Sequence, residues 1–72
     1  MALQLKWENA QDLGLALQEK YPEIDPLKLR STELHRYVTE LPIFIDDPKR
    51  SNEGKLEAIQ MAWYDEWKEN QA

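Results

Sequence analysis

Four prolines, at positions 22, 26, 42 and 48, decide how this 72-residue chain can be partitioned. Proline lacks the amide hydrogen that a helix interior needs, and its ring clashes with the preceding turn, so each one marks a helix end, a first helical position or a loop. Pro22 stops a helix that starts near Ala10, with Asn9 in the capping position and Asp12 in the first turn, where the helix dipole favours an anion. Ala10, Leu13, Ala16, Leu17 and Tyr21 fall on one face of that helix, with Lys20 able to snorkel at its end, while Leu15 lies on the far side. Gly14 costs about 1 kcal/mol relative to Ala in a helix interior, which points to the close approach of a second helix.

Between the prolines the remaining elements are short. Tyr21-Pro22-Glu23-Ile24-Asp25-Pro26 is a tight connector in which Asp25 caps a short helix with Pro26 at its first position, a structural role for Asp25. Ser31 or Thr32 is the expected cap of a third helix carrying Leu34, Tyr37, Val38 and Leu41 in one stripe, and Pro42 ends it. Ile43-Phe44-Ile45 is an apolar run that suits either a strand or a loop under the core. Leu3, Leu5 and Trp7 alternate with polar residues, as in a short strand or extended arm. Asp46 to Asn52 is expected as a surface loop. Ser51 or Asn52 then caps a last helix with Leu56, Ile59, Trp63 and Trp67 along one face and Gln60 at its margin.

A chain of this size buries only about 60% of the surface it exposes when unfolded, so its core must be compact and aromatic. Trp7, Trp63 and Trp67 are the expected anchors, since each buried aromatic removes roughly 150–250 Å² from water. The predicted fold is mainly α, a small winged-helix-like domain of three to four helices with at most a minor β-pair. It spans 1–72 as a single domain, with 1–6 and 68–72 expected to be flexible.

Nine basic residues against fourteen acidic ones give a net charge of −5, which repels phosphate backbones and attracts basic surfaces or cations. Nucleic acid is therefore not expected as a partner. The chain has no cysteine, which excludes disulfides, thiolate ligation of a cluster and cysteine nucleophiles. No stretch approaches the roughly 20 apolar residues of a membrane span, and Met1 to Lys6 do not read as a secretory signal. A cytoplasmic location is expected. No motif supplies a nucleophile with its base, a phosphate loop or a closed metal site, so the expected protein is not an enzyme.

The candidate site residues are carboxylates. Asp46 and Asp47 offer hard oxygen ligands for a cation or acceptors for a partner's arginines. Glu53 and Glu57 lie four apart on one helix, roughly 5–6 Å apart at Cβ, close enough to share a cation. Glu53 also has a structural reading in the first turn, where the dipole favours it. Glu57 and Asp65 have less structural reason to be acidic and are the better candidates for partner contact, joined by Glu23 and Glu66. His35 is the lone histidine and reads as a packed or surface residue rather than a ligand.

Seven pieces of this chain, in order, resemble the IscX family of bacterial iron–sulfur cluster assembly accessory proteins. They are Trp7, Tyr21-Pro22-Glu23-Ile24-Asp25-Pro26, Thr32-Glu33-Leu34-His35, Asp46-Asp47-Pro48, Ser51-Asn52-Glu53, Leu56-Glu57-Ala58-Ile59 and Trp63-Tyr64-Asp65-Glu66, covering about Leu5 to Glu66. The resemblance implies a winged-helix-like fold, weak Fe²⁺ binding by surface carboxylates with no bound cluster, and docking onto cysteine desulfurase. It implies competition or cooperation with bacterial frataxin in modulating cluster formation, by a monomer. The metal residues expected are Asp46, Asp47, Glu53 and Glu57. The partner-binding residues expected are Glu23, Asp46, Asp47, Glu57, Asp65 and Glu66. Two alternatives remain, a winged-helix DNA-binding regulator and a metal-independent protein interaction module. A third helix bearing Glu33, His35, Arg36 and Glu40 has no positive face for DNA.

Overall fold

Helix α1 (Ala10–Lys20) lies against the long helix α3 (Glu53–Glu69), and this pair is the main packing of the molecule, with the shorter α2 (Ser31–Thr39) leaning on both. The computed structural model describes residues 4–71. Two 3-10 turns, Pro26–Lys28 and Pro48–Arg50, sit in the connections after α1 and before α3.

Gly14 shows why α1 and α3 approach so closely. A Cβ built at Gly14 would stand 2.7 Å from the Trp63 backbone nitrogen and 2.8 Å from the Ala62 carbonyl carbon, so only a residue without a side chain fits there. The buried set on α1 is Leu13, Gly14, Leu17 and Gln18, facing Leu56, Ile59, Ala62 and Trp63 on α3. Gln18 is a polar residue in this seam, where its Oε1 accepts the Trp63 indole N–H at 3.2 Å. Burying either group alone would leave it without a partner; together they satisfy each other. Leu15 is 45% exposed, as its place off the stripe implies.

Leu34, Val38 and Leu41 complete the core from the α2 side. Tyr21 and Tyr37 meet edge-on with ring centroids 4.7 Å apart, and both lie near the fully buried Trp63, so α1, α2 and α3 share one aromatic junction. Trp67 is half-buried against the same core and stacks with Tyr64.

The helix ends correct several details. Asn9 precedes α1 as expected, but its side chain turns backward to accept the Lys6 N–H at 2.9 Å and makes no cap bond to the helix. Ser31 is the first residue of α2 rather than its cap. Glu33 there reaches back to accept the Arg30 N–H at 3.0 Å, an alternative way to satisfy an amide outside the helix. Asp25 caps the Pro26–Lys28 turn as read, accepting the Leu27 N–H at 3.0 Å, and Asn52, not Ser51, caps α3 through the Lys55 N–H at 2.8 Å.

The mainly α expectation holds, and no strand forms among the described residues; a single parallel bridge joins Leu5 to Phe44. The Leu5 N–H donates to the Ile43 carbonyl at 2.8 Å and its own carbonyl accepts the Ile45 N–H at 2.9 Å. Ile43-Phe44-Ile45 thus gives neither a full strand nor a hairpin of the kind that makes a wing, because Pro42 and Pro48 leave it only a few residues to pair. Leu5, within the start expected to be flexible, is 2% exposed and makes those two bonds. Leu3, expected to share its face, lies outside the described residues. At the other end, Lys68 and Glu69 continue α3 and the Asn70 side-chain amide donates to the Glu66 carbonyl; Ala72 is outside the described residues.

Candidate functional site

The four carboxylates nominated as metal ligands separate into two pairs in different places. Asp46 and Asp47 hold Trp7. The Trp7 indole N–H donates to the Asp47 carbonyl at 2.7 Å and its backbone N–H donates to Asp46 Oδ2 at 3.3 Å. The Trp7 ring is fully buried, edge-on to Phe44 at 4.7 Å and stacked on His35 at 5.3 Å. His35 Nε2 lies 2.7 Å from the Pro48 carbonyl; that oxygen can only accept, so Nε2 carries the hydrogen. His35 is a packed clamp residue here, as its isolation in the sequence suggested.

The Asp46 side chain is only 6% exposed, unlike the solvated loop residue expected. Its Oδ1 accepts the Asp47 N–H at 2.7 Å and faces Arg50 at 3.4 Å. Burial pushes the Asp46 pKa up, yet the N–H groups of Asp47 and Trp7, with the Arg50 and Lys6 charges, outweigh it and hold the carboxyl below its ordinary 3.8. The Asp47 carboxylate is exposed but accepts the Lys49 N–H at 2.9 Å, capping the Pro48–Arg50 turn. Three of the four oxygens of this pair are therefore engaged by amide groups, and a guanidinium already stands beside the more buried carboxylate.

Glu53 and Glu57 stand elsewhere, on the outer face of the first turns of α3. Together with Ser31, Gln60, Leu29, Leu34, Leu56 and Met61 they line a groove of about 320 Å³ between the start of α2, the start of α3 and the turn after Pro26. Both glutamates are exposed, and neither has a Lys, Arg or His within 4 Å among the described residues. Leu34 and Leu56 form a buried floor, while Met61 is 46% exposed at the edge. The Gln60 Nε2 donates to the Pro26 carbonyl at 2.8 Å, which pins the wall and leaves its Oε1 as an acceptor.

Asp65 is exposed further along α3, with Lys68 at 4.0 Å, both side chains more than 60% exposed; solvent screens such a pair heavily. Glu66 is half-buried, and Glu23 is exposed in the turn that follows α1. As metal donors, carboxylate oxygens suit Fe²⁺, Mn²⁺, Mg²⁺ and Ca²⁺ alike. Among the described residues, however, no three Asp, Glu or His side chains converge on one point. Glu53 and Glu57 thus remain a pair of hard oxygen donors, with Asp46 and Asp47 not lining their groove.

The groove's other walls were not legible beforehand. Gln60 reads as the margin of an apolar stripe and Ser31 as a helix cap, and nothing local marks Leu29 or Met61 as groove residues, because it takes the docking of three separate segments to place them together. The one available signal was Met61, an apolar residue a turn after Glu57 and off the buried stripe of α3.

The described residues thus form a small, acidic, mainly helical body in which two exposed carboxylates line an open groove. The sequence model of the family described as iron–sulphur cluster assembly matches residues 5–68, nearly the whole described chain. The chain is also 47% identical over 64 residues to "Uncharacterized protein PA3808" of Pseudomonas aeruginosa, covering 89% of this chain and 97% of that relative. This chain belongs to the iron–sulphur cluster assembly family typified by IscX. Its role lies in iron–sulfur cluster assembly, with partners in that system. No helix among the described residues is long and apolar enough to cross a membrane.

Proposed function

We propose that this protein is a non-enzymatic, cytoplasmic adaptor that presents the acidic outer face of α3 to a basic surface on cysteine desulfurase and so modulates the rate of cluster formation. The reading is supported chiefly by Glu53 and Glu57, exposed side by side without an internal cation, in a chain of net charge −5. Glu57 and Asp65 carry most of the attraction, with Glu23, Asp47 and Glu66 adding to the field. Asp46 contributes least, because its carboxylate is turned inward onto Trp7. A bacterial frataxin that used the same basic surface would compete with it. Fe²⁺ is held weakly, as cargo, through Glu53 and Glu57 with water completing its shell, and with Asp47 as a second weak point.

Attraction between exposed opposite charges is screened by salt and acts mainly on the association rate. Calorimetric titration of the protein into cysteine desulfurase, at low and high salt, with and without Fe²⁺, tests the reading. Affinity is expected to fall as salt rises and to fall again in the Glu57→Gln/Asp65→Asn variant. Salt-independent binding, or none, refutes the adaptor role. The metal-independent interaction module is the second reading, favoured by the lack of a three-carboxylate cluster among the described residues. Identical titrations with and without Fe²⁺, together with no Fe²⁺ binding by the protein alone, would select it.

A further inference from the structure

The groove between α2 and α3 differs from a merely acidic surface in having a floor. Leu34 and Leu56 close its base, Leu29 and Met61 form apolar sides, and the two glutamates stand on the rim within one turn of each other. The remaining polar groups are Ser31 and Gln60, and the Gln60 amide nitrogen is already committed to the Pro26 carbonyl. What the rim offers a ligand is therefore almost entirely hydrogen-bond acceptors bearing negative charge. From this we infer that the groove is a docking site for a protein segment that places one arginine across Glu53 and Glu57 and an adjacent leucine-type side chain on the floor beside Met61.

Three observations select that occupant. A guanidinium presents five N–H donors in a flat fork and no acceptor, so it complements two carboxylates on Cβ atoms roughly 5–6 Å apart better than a single ammonium point charge does. It is also weakly hydrated, and so tolerates the neighbouring apolar walls better than a strongly hydrated ammonium does. The volume of about 320 Å³ is at the small end of ligand sites, room for one or two side chains rather than a helix. The inference rests on the adaptor reading only for the identity of the partner; the chemistry of the groove is independent of it. It also separates two functions, since arginine docking and Fe²⁺ would compete for the same two carboxylates.

The test uses the full chain labelled with ¹⁵N and the probe N-acetyl-leucyl-arginine amide, followed by chemical-shift titration. Shifts are expected to concentrate at the amides of Leu29, Ser31, Glu53, Glu57 and Met61. Replacing arginine in the probe by its uncharged analogue citrulline is expected to weaken binding about tenfold, as loss of a charge-assisted pair implies. Glu53→Gln/Glu57→Gln should abolish the difference between the two probes, and Met61→Ser should weaken both alike; both sites are exposed, and unchanged circular dichroism confirms the fold. Shifts scattered over all acidic surfaces, or equal affinity for the citrulline probe, would overturn the inference. If the arginine probe binds as expected but cysteine desulfurase does not bind at all, the groove stands and the proposed partner falls. Desulfurase binding undiminished in the double glutamine variant, with the wild type binding it, would overturn the groove as the place where that partner docks.

Discussion

Replacing Gly14 with alanine separates helix propensity from helix packing, because the two act in opposite directions at this position. In an isolated helix the change is favourable by about 1 kcal/mol, through reduced freedom of the unfolded chain. Here the added methyl would lie 2.7–2.8 Å from Trp63 and Ala62, and two of its three nearest atoms are backbone, which cannot rotate aside. Restoring ordinary contact requires α1 and α3 to separate by about 0.6–0.7 Å, a gap that forfeits a quarter to half of the dispersion attraction of the contacts it opens. Overpacking of this kind costs roughly 1–3 kcal/mol, so after the propensity gain the net destabilisation is up to about 2 kcal/mol. For a domain of this length that lowers Tm by up to about 16 °C. Urea and thermal unfolding, followed by tryptophan fluorescence and far-ultraviolet circular dichroism, measure it. Gly54→Ala is the control: it lies in the exposed first turn of α3, its nearest obstacle is the Asn52 side chain at 3.4 Å, and the change should be neutral or stabilising. A Gly14→Ala protein more stable than the wild type by the full propensity gain of about 1 kcal/mol would refute the close-packed seam between α1 and α3.

Two further perturbations probe features buried by that packing. Gln18→Met keeps the volume but leaves the Trp63 indole N–H without an acceptor in the core, which should cost about 1–3 kcal/mol; an unchanged urea midpoint would mean that the bond contributes nothing. For Asp46, the folded pKa lies below the unfolded one, so the unfolded chain binds the proton more readily. The stability this group adds is full above its unfolded value and is lost as pH falls through the lower folded value. Asp46→Asn should therefore be less stable than the wild type at neutral pH, with the gap narrowing as pH drops below the ordinary 3.8, and a gap that stays constant in acid unfolding curves would contradict the assignment.

The Asp46 case shows where sequence reading stopped. Two adjacent aspartates before a proline read as a solvated loop and as metal ligands, because nothing local ties them to Trp7, about 40 residues earlier. Only when the Leu5–Phe44 bridge brings the N-terminal arm alongside does the Asp46 carboxylate find the Trp7 amide. Gln18 escaped notice for the same reason: its partner is 45 positions away, and a glutamine beside an apolar stripe has no local signature of burial. Gly14, by contrast, was legible, since a residue that weakens a helix needs a reason to be there and close approach is the commonest one. Helix positions were likewise readable from prolines and spacing, whereas the cap at Arg30 and Glu33 was not, because several neighbouring residues could serve.

Local chemistry alone placed the three helices, their turns at Pro22, Pro26 and Pro42, the aromatic core and the surplus of negative charge, since propensity, periodicity and formal charge depend only on residue identity and near neighbours. Tertiary packing decided which carboxylates face inward and which remain available. It turned Asp46 onto Trp7 and set Glu53 and Glu57 on the rim of a groove whose floor comes from segments far apart in the chain. An acceptor's availability depends on the donors that surround it in space, and those donors arrive only when the chain folds.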